Sequence, residues 1–227
     1  MERSVYAGKS KLTALFGAEF LESLRGLSVL DYGCGQGLEI IEAARAGAEL
    51  AMGIDIDESS IEICRERAAR EMVQDRCRFA AVPEGQFDII ISLDSFEHYS
   101  NPEGELEKIY HLLKVGGLVA ASWGPPWYHP YGSHLLELPP WSHLVFSESA
   151  IMEWRSCFRN DGATRFSEVK GGLNKMTISR FDRLIGNSRF RIESRDIIPI
   201  RGLTLLHNRI TREFMTSVVT CRLRKAS

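Results

Sequence analysis

Ser28-Val29-Leu30-Asp31-Tyr32-Gly33-Cys34-Gly35-Gln36-Gly37 is the stretch on which the reading of this chain turns. Its first five residues form a short, mostly apolar run that reads as a buried strand. Three glycines at alternate positions follow, and a helical pattern opens at Leu38. A glycine-rich bend between a strand and a helix lets a ligand reach the main chain with no Cβ in the way. A dinucleotide-binding bend has the spacing GxGxxG. Counted from Gly33 the third glycine would fall on Leu38, and counted from Gly35 on Ile40. The loop is therefore GxGxG, which disfavours a pyrophosphate ligand.

A second polar signal lies one strand further on, in Gly53-Ile54-Asp55-Ile56-Asp57. A carboxylate at a strand tip can accept two hydrogen bonds from a ribose diol, which suits an adenosine-containing ligand. Asp55 stands at the tip, whereas Asp57 is placed to cap the next helix. Read alone, the glycine loop is also consistent with a plain tight turn. Its coincidence with Asp31 and Asp55 favours a ligand.

Outward from this centre, strands and helices alternate. Helices are expected over 12–24, 38–46, 58–71 and 104–113, and strands over 28–32, 50–54, 76–81, 87–93 and 118–123. Apolar residues stand at consecutive positions in Phe87-Asp88-Ile89-Ile90-Ile91, the pattern of a strand covered on both faces. The expectation is an α/β fold: a Rossmann-like, seven-stranded, mostly parallel sheet with helices on both faces. The rhythm fails over 124–172, where Trp127, Tyr128, Tyr131 and Trp141 mix with prolines and histidines. This segment reads as an inserted lid after the fifth strand, dividing a core of 1–123 from its remainder, 173–227. That remainder carries a helix near 177–187 and strands over 190–198 and 216–224.

The bulk composition agrees with a folded domain. The chain has 227 residues, of which 44% are hydrophobic and 26% charged, with a net charge of −2. The charge is uneven: 16 Lys+Arg face 6 Asp+Glu from residue 155 onward, against 12 and 24 before it. Such a basic third is either an anion- or nucleic-acid-facing surface or scattered surface arginine, and no continuous basic run is present. Five scattered cysteines without a CxxC argue against a disulfide framework or zinc ribbon and fit a reducing, cytoplasmic compartment. MERSVYAGKSKL has no apolar core of the kind a secretory signal needs, and no apolar stretch is long enough to span a bilayer.

Asp31-Tyr32-Gly33-Cys34-Gly35-Gln36-Gly37, the Gly-Ile-Asp about 20 residues later, Glu97-His98 and Leu112-Leu113-Lys114-Val115-Gly116-Gly117 together resemble the class I S-adenosylmethionine-dependent methyltransferase family. The resemblance implies S-adenosyl-L-methionine as cofactor and S-adenosyl-L-homocysteine as product. Gly33 and Gly35, with the main chain at Tyr32 and Cys34, would line the methionine part. Asp31 would meet the amino group, Asp55 the ribose hydroxyls, Ile56 the adenine, and Leu93 would stand near the sulfonium. His98 would either border the cofactor or pack beneath the loop. Cys34 reads as a small buried filler rather than a nucleophile. In two places the chain departs from the family. Ala80-Ala81-Val82-Pro83 lacks the Asp that often reaches the adenine amine, and Leu93-Asp94-Ser95-Phe96 lacks the Asn/Asp-Pro-Pro-aromatic motif of base N-methyltransferases.

The expected acceptor is a small molecule, with oxygen favoured over nitrogen or carbon. RNA or protein is the alternative acceptor, and a non-catalytic module is a third reading. His129, His134 and His143, with Glu137 among them, are the candidates for contacting that acceptor. They could serve as a general base, as metal ligands or only as lid structure. No short motif such as HExxH is present, so no metal ligands are assigned. Tyr6, Lys9 and Lys11 either fold over the cofactor carboxylate or form a solvated arm.

Overall fold

A computed structural model describes residues 10–136, 138–169 and 171–226. The strands are β1 Ser28–Tyr32, β2 Leu50–Ile54, β3 Cys77–Ala80, β4 Phe87–Leu93, β5 Leu113–Trp123, β6 Phe190–Pro199 and β7 Thr216–Lys225. They make one sheet in the order β3-β2-β1-β4-β5-β7-β6. β1 to β5 pair in parallel, and β7 runs antiparallel to both its neighbours. The expected seven-stranded, mostly parallel sheet is thus present. Leu30 of β1 stands opposite Met52 of β2 on one side and Ile90 of β4 on the other. The winding reverses between β1 and β4, and α/β sheets open a crevice at the carboxyl ends of the strands at such a point.

The consecutive apolar residues of the central strands have a physical cause: both faces are covered. On one face Leu30, Ile90 and Val119 pack with Leu106 and Ile109 of α5 (Pro102–Leu112) and Phe181 and Leu184 of α8 (Ile178–Gly186). On the other, Val29, Ala51, Ile89 and Ile91 pack with α1 (Lys11–Phe16), α2 (Ala18–Ser23) and α3 (Leu38–Ala46). α4 (Glu58–Arg70) follows β2 and is capped by Asp57, whose side chain accepts from Ser59 N, as expected.

Three boundaries differ from the sequence reading by more than one residue. The helix expected over 12–24 is broken at Gly17, whose φ of 87° ends α1 and starts α2. α5 starts at Pro102, because Asn101 caps it and a proline at the first helical position forfeits no needed N–H. β5 begins at Leu113 rather than 118. Gly116-Gly117, read as a helix stop, lie inside it, and a Cβ on Gly117 would come within 2.9 Å of Asp88 O on β4.

The stretch 124–172 is less irregular than expected. It holds α6 (Ser142–Val145), α7 (Glu148–Ser156) and 3-10 turns at His134–Leu136 and Phe166–Glu168. Leu136, Ile151, Met152, Phe166, Val169 and Leu173 give it a small apolar cluster of its own. Arg155 clamps Asp161 through two hydrogen bonds of 2.6 and 2.5 Å. Glu148 joins α7 to the Phe166 main chain and to Lys175 at 2.7 Å each. Helical periodicity was hidden here by the shortness of the elements and by the prolines between them. Tyr6, Lys9 and Glu137 lie outside the described residues, while Lys11 forms an ion pair with Asp94.

Some of the basic residues beyond residue 155 are engaged in separate ion pairs: Arg189–Glu107, Arg195 and Arg212 with Asp182, and Arg224–Glu193. Among the described residues, no helix is long and apolar enough to cross a membrane.

One buttress of the sheet carries a testable pH signature. Asp88 Oδ2 accepts from Ser28 N, Ser28 Oγ and Lys114 Nζ at 2.9, 2.6 and 2.8 Å, tying β4 to the starts of β1 and β5. Partial burial alone would raise its pKa, but the bonds from Lys114 and Ser28 outweigh it and hold it at about 2. A depressed carboxylate stabilises the fold above its unfolded pKa of about 4, and the contribution disappears as pH falls through the folded value. Asp88→Asn should therefore cost about 1 kcal/mol at neutral pH, after discounting for solvent screening. Denaturant melts of the two proteins should converge near pH 2; a gap that stays constant from pH 7 to pH 2 would contradict this.

Candidate active site

At the carboxyl end of β1 the chain bends through Gly33, Gly35 and Gly37, whose φ values are 87°, 50° and 74°. Gly33 N and Cys34 N both donate to Ile54 O, at 3.0 and 2.8 Å, and so lace the bend to the end of β2. Gly37 is required by packing, since a Cβ there would come within 2.7 Å of Cys64 Sγ. Gly35 differs: a Cβ there would meet nothing within 4 Å, so its main chain is open to approach. Cys34 is buried against Gly53, where a Cβ would come within 2.9 Å of its sulfur, in keeping with a small filler. Cys64 on α4 donates to Gly35 O at 3.2 Å and supports the bend from below. Sequence spacing carried no sign of that contact, because α4 comes back under the loop only in three dimensions.

Asp55 joins the bend to β2. Its Oδ2 accepts from Gly35 N at 2.8 Å and its Oδ1 from Asp57 N at 2.9 Å. Each carboxylate oxygen keeps a further lone pair, so a diol can be accommodated beside these bonds. Ile56 next to it is 99% exposed. Asp31 is only 3% exposed, and burial, followed by the charge of Glu39, drives its carboxyl well above the usual range. Tyr32 donates its hydroxyl to Glu105 Oε2 at 2.5 Å, which holds the ring at the edge of the bend.

β4 ends at the buried Leu93, and the following loop is tightly tied. Asp94, with a φ of 51°, donates its N–H to Ser122 O at 2.8 Å and receives Lys11 Nζ at 2.8 Å. Glu97 is 3% exposed; its Oε1 accepts from Gly124 N at 3.0 Å, and its Oε2 has no partner. Burial, then the neighbouring Asp94, pushes the Glu97 carboxyl up to about 8. His98 donates from Nδ1 to Gly172 O at 2.7 Å. Asn174 donates to Phe96 O and Tyr99 O at 2.6 and 2.9 Å. The end of the inserted segment is thereby fastened to the loop after β4.

The three histidines of the insertion have separate surroundings. The His134 ring lies 5.4 Å from that of His98, and its Nδ1 is buried without a partner. Burial, then His98, lowers its pKa to about 4. His129 accepts at Nδ1 from Tyr131 N at 3.0 Å, and burial, with His143, lowers it to about 4. His143 is engaged at both nitrogens, with Trp127 O at 2.7 Å and Ser133 Oγ at 3.2 Å. Trp127 stacks on His143 and Phe166 inside the insertion, whereas Tyr128 and Trp141 are exposed. His134 is thus brought to the loop after β4, beside Glu97 and His98, and His143 is held by Trp127 and Ser133 within the segment 124–172. Glu97 was visible in the sequence only as half of a family motif, with no role of its own.

A glycine bend at the switch point and a carboxylate at the tip of the next strand place this chain among the α/β domains that open a crevice at the carboxyl ends of their strands. The family model for a methyltransferase domain matches residues 5–170, and the chain belongs to that family. It is 41% identical over 99 residues to a ribosomal protein L11 methyltransferase of Neisseria meningitidis, covering 43% of this chain and 32% of that protein. It is 36% identical over 107 residues to a ubiquinone biosynthesis O-methyltransferase of Bordetella avium, covering 44% of each. The chain therefore spans between a third and a half of the length of these curated relatives. Its fold is shared by an S-adenosylmethionine-dependent methyltransferase from Mesorhizobium loti (TM-score 0.61, 16% identity, 91% of this chain and 96% of that one). It is also shared by magnesium protoporphyrin IX methyltransferase from Synechocystis, solved with bound SAH (TM-score 0.56, 17% identity, 99% and 92%).

Proposed function

We propose that this chain is an S-adenosylmethionine-dependent methyltransferase acting on a small-molecule hydroxyl. The observation that carries the cofactor reading is the pairing of Gly35, open on its Cβ side, with Asp55, whose carboxylate braces that same residue and keeps lone pairs to spare. S-adenosylmethionine, when bound, supplies a methyl group already activated by its sulfonium. In this reading the main chain at Tyr32, Gly33, Cys34 and Gly35 lines the amino-acid tail. Asp31, a carboxylate that burial makes costly to ionise alone, is suited to an ammonium partner. Asp55 takes the ribose hydroxyls. Ile56 offers its exposed apolar side chain to the adenine, where no third-strand Asp is available. Leu93 and His98 border the reacting end.

The acceptor side is the space between the loop after β4 and the cover formed by 124–172. The chain's task there is alignment and exclusion of water. Oxygen is favoured because Glu97, His98 and His134 gather there polar atoms able to hydrogen-bond a hydroxyl. Among the three candidate histidines, His134 keeps an unpartnered nitrogen, and at neutral pH its ring is uncharged. His143 and His129 are assigned to shaping the cover. His134→Ala is expected to lower turnover about 100-fold, within the range for a positioned acid–base or orienting group. The affinity for S-adenosylmethionine should stay within about 2-fold of the wild type, well below the tenfold that 1.4 kcal/mol represents. Single-turnover assays with calorimetry test this, and unchanged turnover would remove His134 from the acceptor site. Nucleic acid is not proposed as a partner, since the sequence has no continuous basic run and Arg189, Arg195, Arg212 and Arg224 are engaged in separate ion pairs. The free thiols fit the cytoplasm as the compartment.

A further inference from the structure

Glu97, His98 and His134 form a cluster that methyl transfer does not by itself require. One donor atom from each lies within 4.8 Å of the other two. The donors come from two parts of the chain: two from the loop after β4 and one from the 3-10 turn of the inserted segment. Two polar atoms of these residues, Glu97 Oε2 and His134 Nδ1, are buried with no hydrogen-bond partner. A buried polar atom left unsatisfied is costly, so two in one cluster call for an explanation. The third donor is prepared as well. His98 faces the Gly172 carbonyl, which can only accept, so Nδ1 carries the proton and Nε2 the lone pair. Ligating histidines are commonly oriented in this way, by a carbonyl on the far nitrogen. Glu97 is likewise oriented, through Gly124 N on its other oxygen.

We propose that Glu97 Oε2, His98 Nε2 and His134 Nδ1 bind one divalent transition-metal ion of the zinc class. Two imidazoles and one carboxylate favour such an ion over magnesium or calcium, which prefer an all-oxygen set. Two donors each about 2.1 Å from one ion stand at most about 4.2 Å apart. Three donors around one four-coordinate ion stand about 3.4 Å apart, so binding draws donors now within 4.8 Å of one another together by up to about 1.4 Å, a movement within reach of side-chain rotation. Three protein donors leave at least one coordination position open, as in catalytic rather than structural sites. One carboxylate and two neutral imidazoles leave the ion with a net positive charge, and the ligand class that completes it is an ionisable hydroxyl. That last assignment rests on the methyl-transfer reading above; binding of the ion does not. In this arrangement His134 is a ligand, and the inserted segment is fastened to the core through the ion.

The test uses the full chain, stripped with a chelator and titrated with ZnCl2 by calorimetry and with CoCl2 by visible absorption. One ion per chain is expected, with a cobalt spectrum showing nitrogen and oxygen ligation. Glu97→Gln and His134→Gln should each weaken binding by about 10–100-fold. His134, half-buried in a short turn, provides a variant that stays informative if the buried Glu97→Gln does not fold. Absence of binding to the folded wild type, or wild-type affinity in folded His134→Gln, would overturn the site. A preference for MgCl2 over ZnCl2 would overturn the assigned ion. The two readings fail separately. Zinc binding without S-adenosylmethionine binding would remove the methyl-transfer assignment and leave the metal site, and the reverse result would do the opposite.

Discussion

Asp55→Ala should weaken binding of S-adenosylmethionine and S-adenosylhomocysteine by about 10²–10³-fold. The figure follows from the two kinds of bond that the carboxylate makes. Hydrogen bonds to a charged group are each worth about 1.5–3 kcal/mol, and a ribose diol bound at Asp55 would forfeit two. The same substitution removes the acceptor for Gly35 N and loosens the bend that meets the amino-acid tail. Asp55→Asn retains an oxygen for Gly35 N and should fall between the two. Calorimetric titration of the three proteins with S-adenosylhomocysteine checks the order. An Asp55→Ala protein that still binds within threefold of the wild type would remove Asp55 from the ribose site.

Gly35→Val should have a comparable effect on binding with a much smaller effect on the fold. At Gly35 a Cβ would meet no atom of the protein within 4 Å, so on the proposed reading the added side chain would take up space left to the ligand. The left-handed backbone adds strain of about 1–2 kcal/mol, a few degrees in melting temperature for a chain of this size. The loss of affinity should exceed about 100-fold, because the valine stands where the ligand approaches the main chain. Gly37→Val supplies the contrast. There the new side chain meets Cys64 Sγ, and lost stability rather than lost affinity should dominate. Thermal melts run beside the titrations separate the two. Equal melting temperatures for the two variants would show that Gly35 is as enclosed as Gly37.

Most of the local geometry at the carboxyl ends of β1 and β2 was legible from residue types and spacing. The bend at Gly33–Gly37, the tip carboxylate of Asp55 and the capping role of Asp57 are local features. Each depends on a few neighbouring residues and the turn they form. The acceptor half was less legible. Three histidines in one insertion looked equivalent, yet His143 is held at both nitrogens by Trp127 and Ser133, while His134 meets His98 and Glu97. Gly116-Gly117 read as a stop because glycine ends helices as readily as it admits close strands.

The order of apolar runs, the glycine spacing and the placement of acids at strand ends were enough to specify a doubly covered, mostly parallel sheet with a glycine bend beside a strand-tip carboxylate, because backbone sterics and burial act over short stretches of chain. The association of Glu97 with His134 across 37 positions, the support of the bend by Cys64, and the division of labour among the lid histidines were decided only by tertiary folding. Those contacts depend on how the inserted segment packs over the loop after β4, and no local pattern encodes that packing.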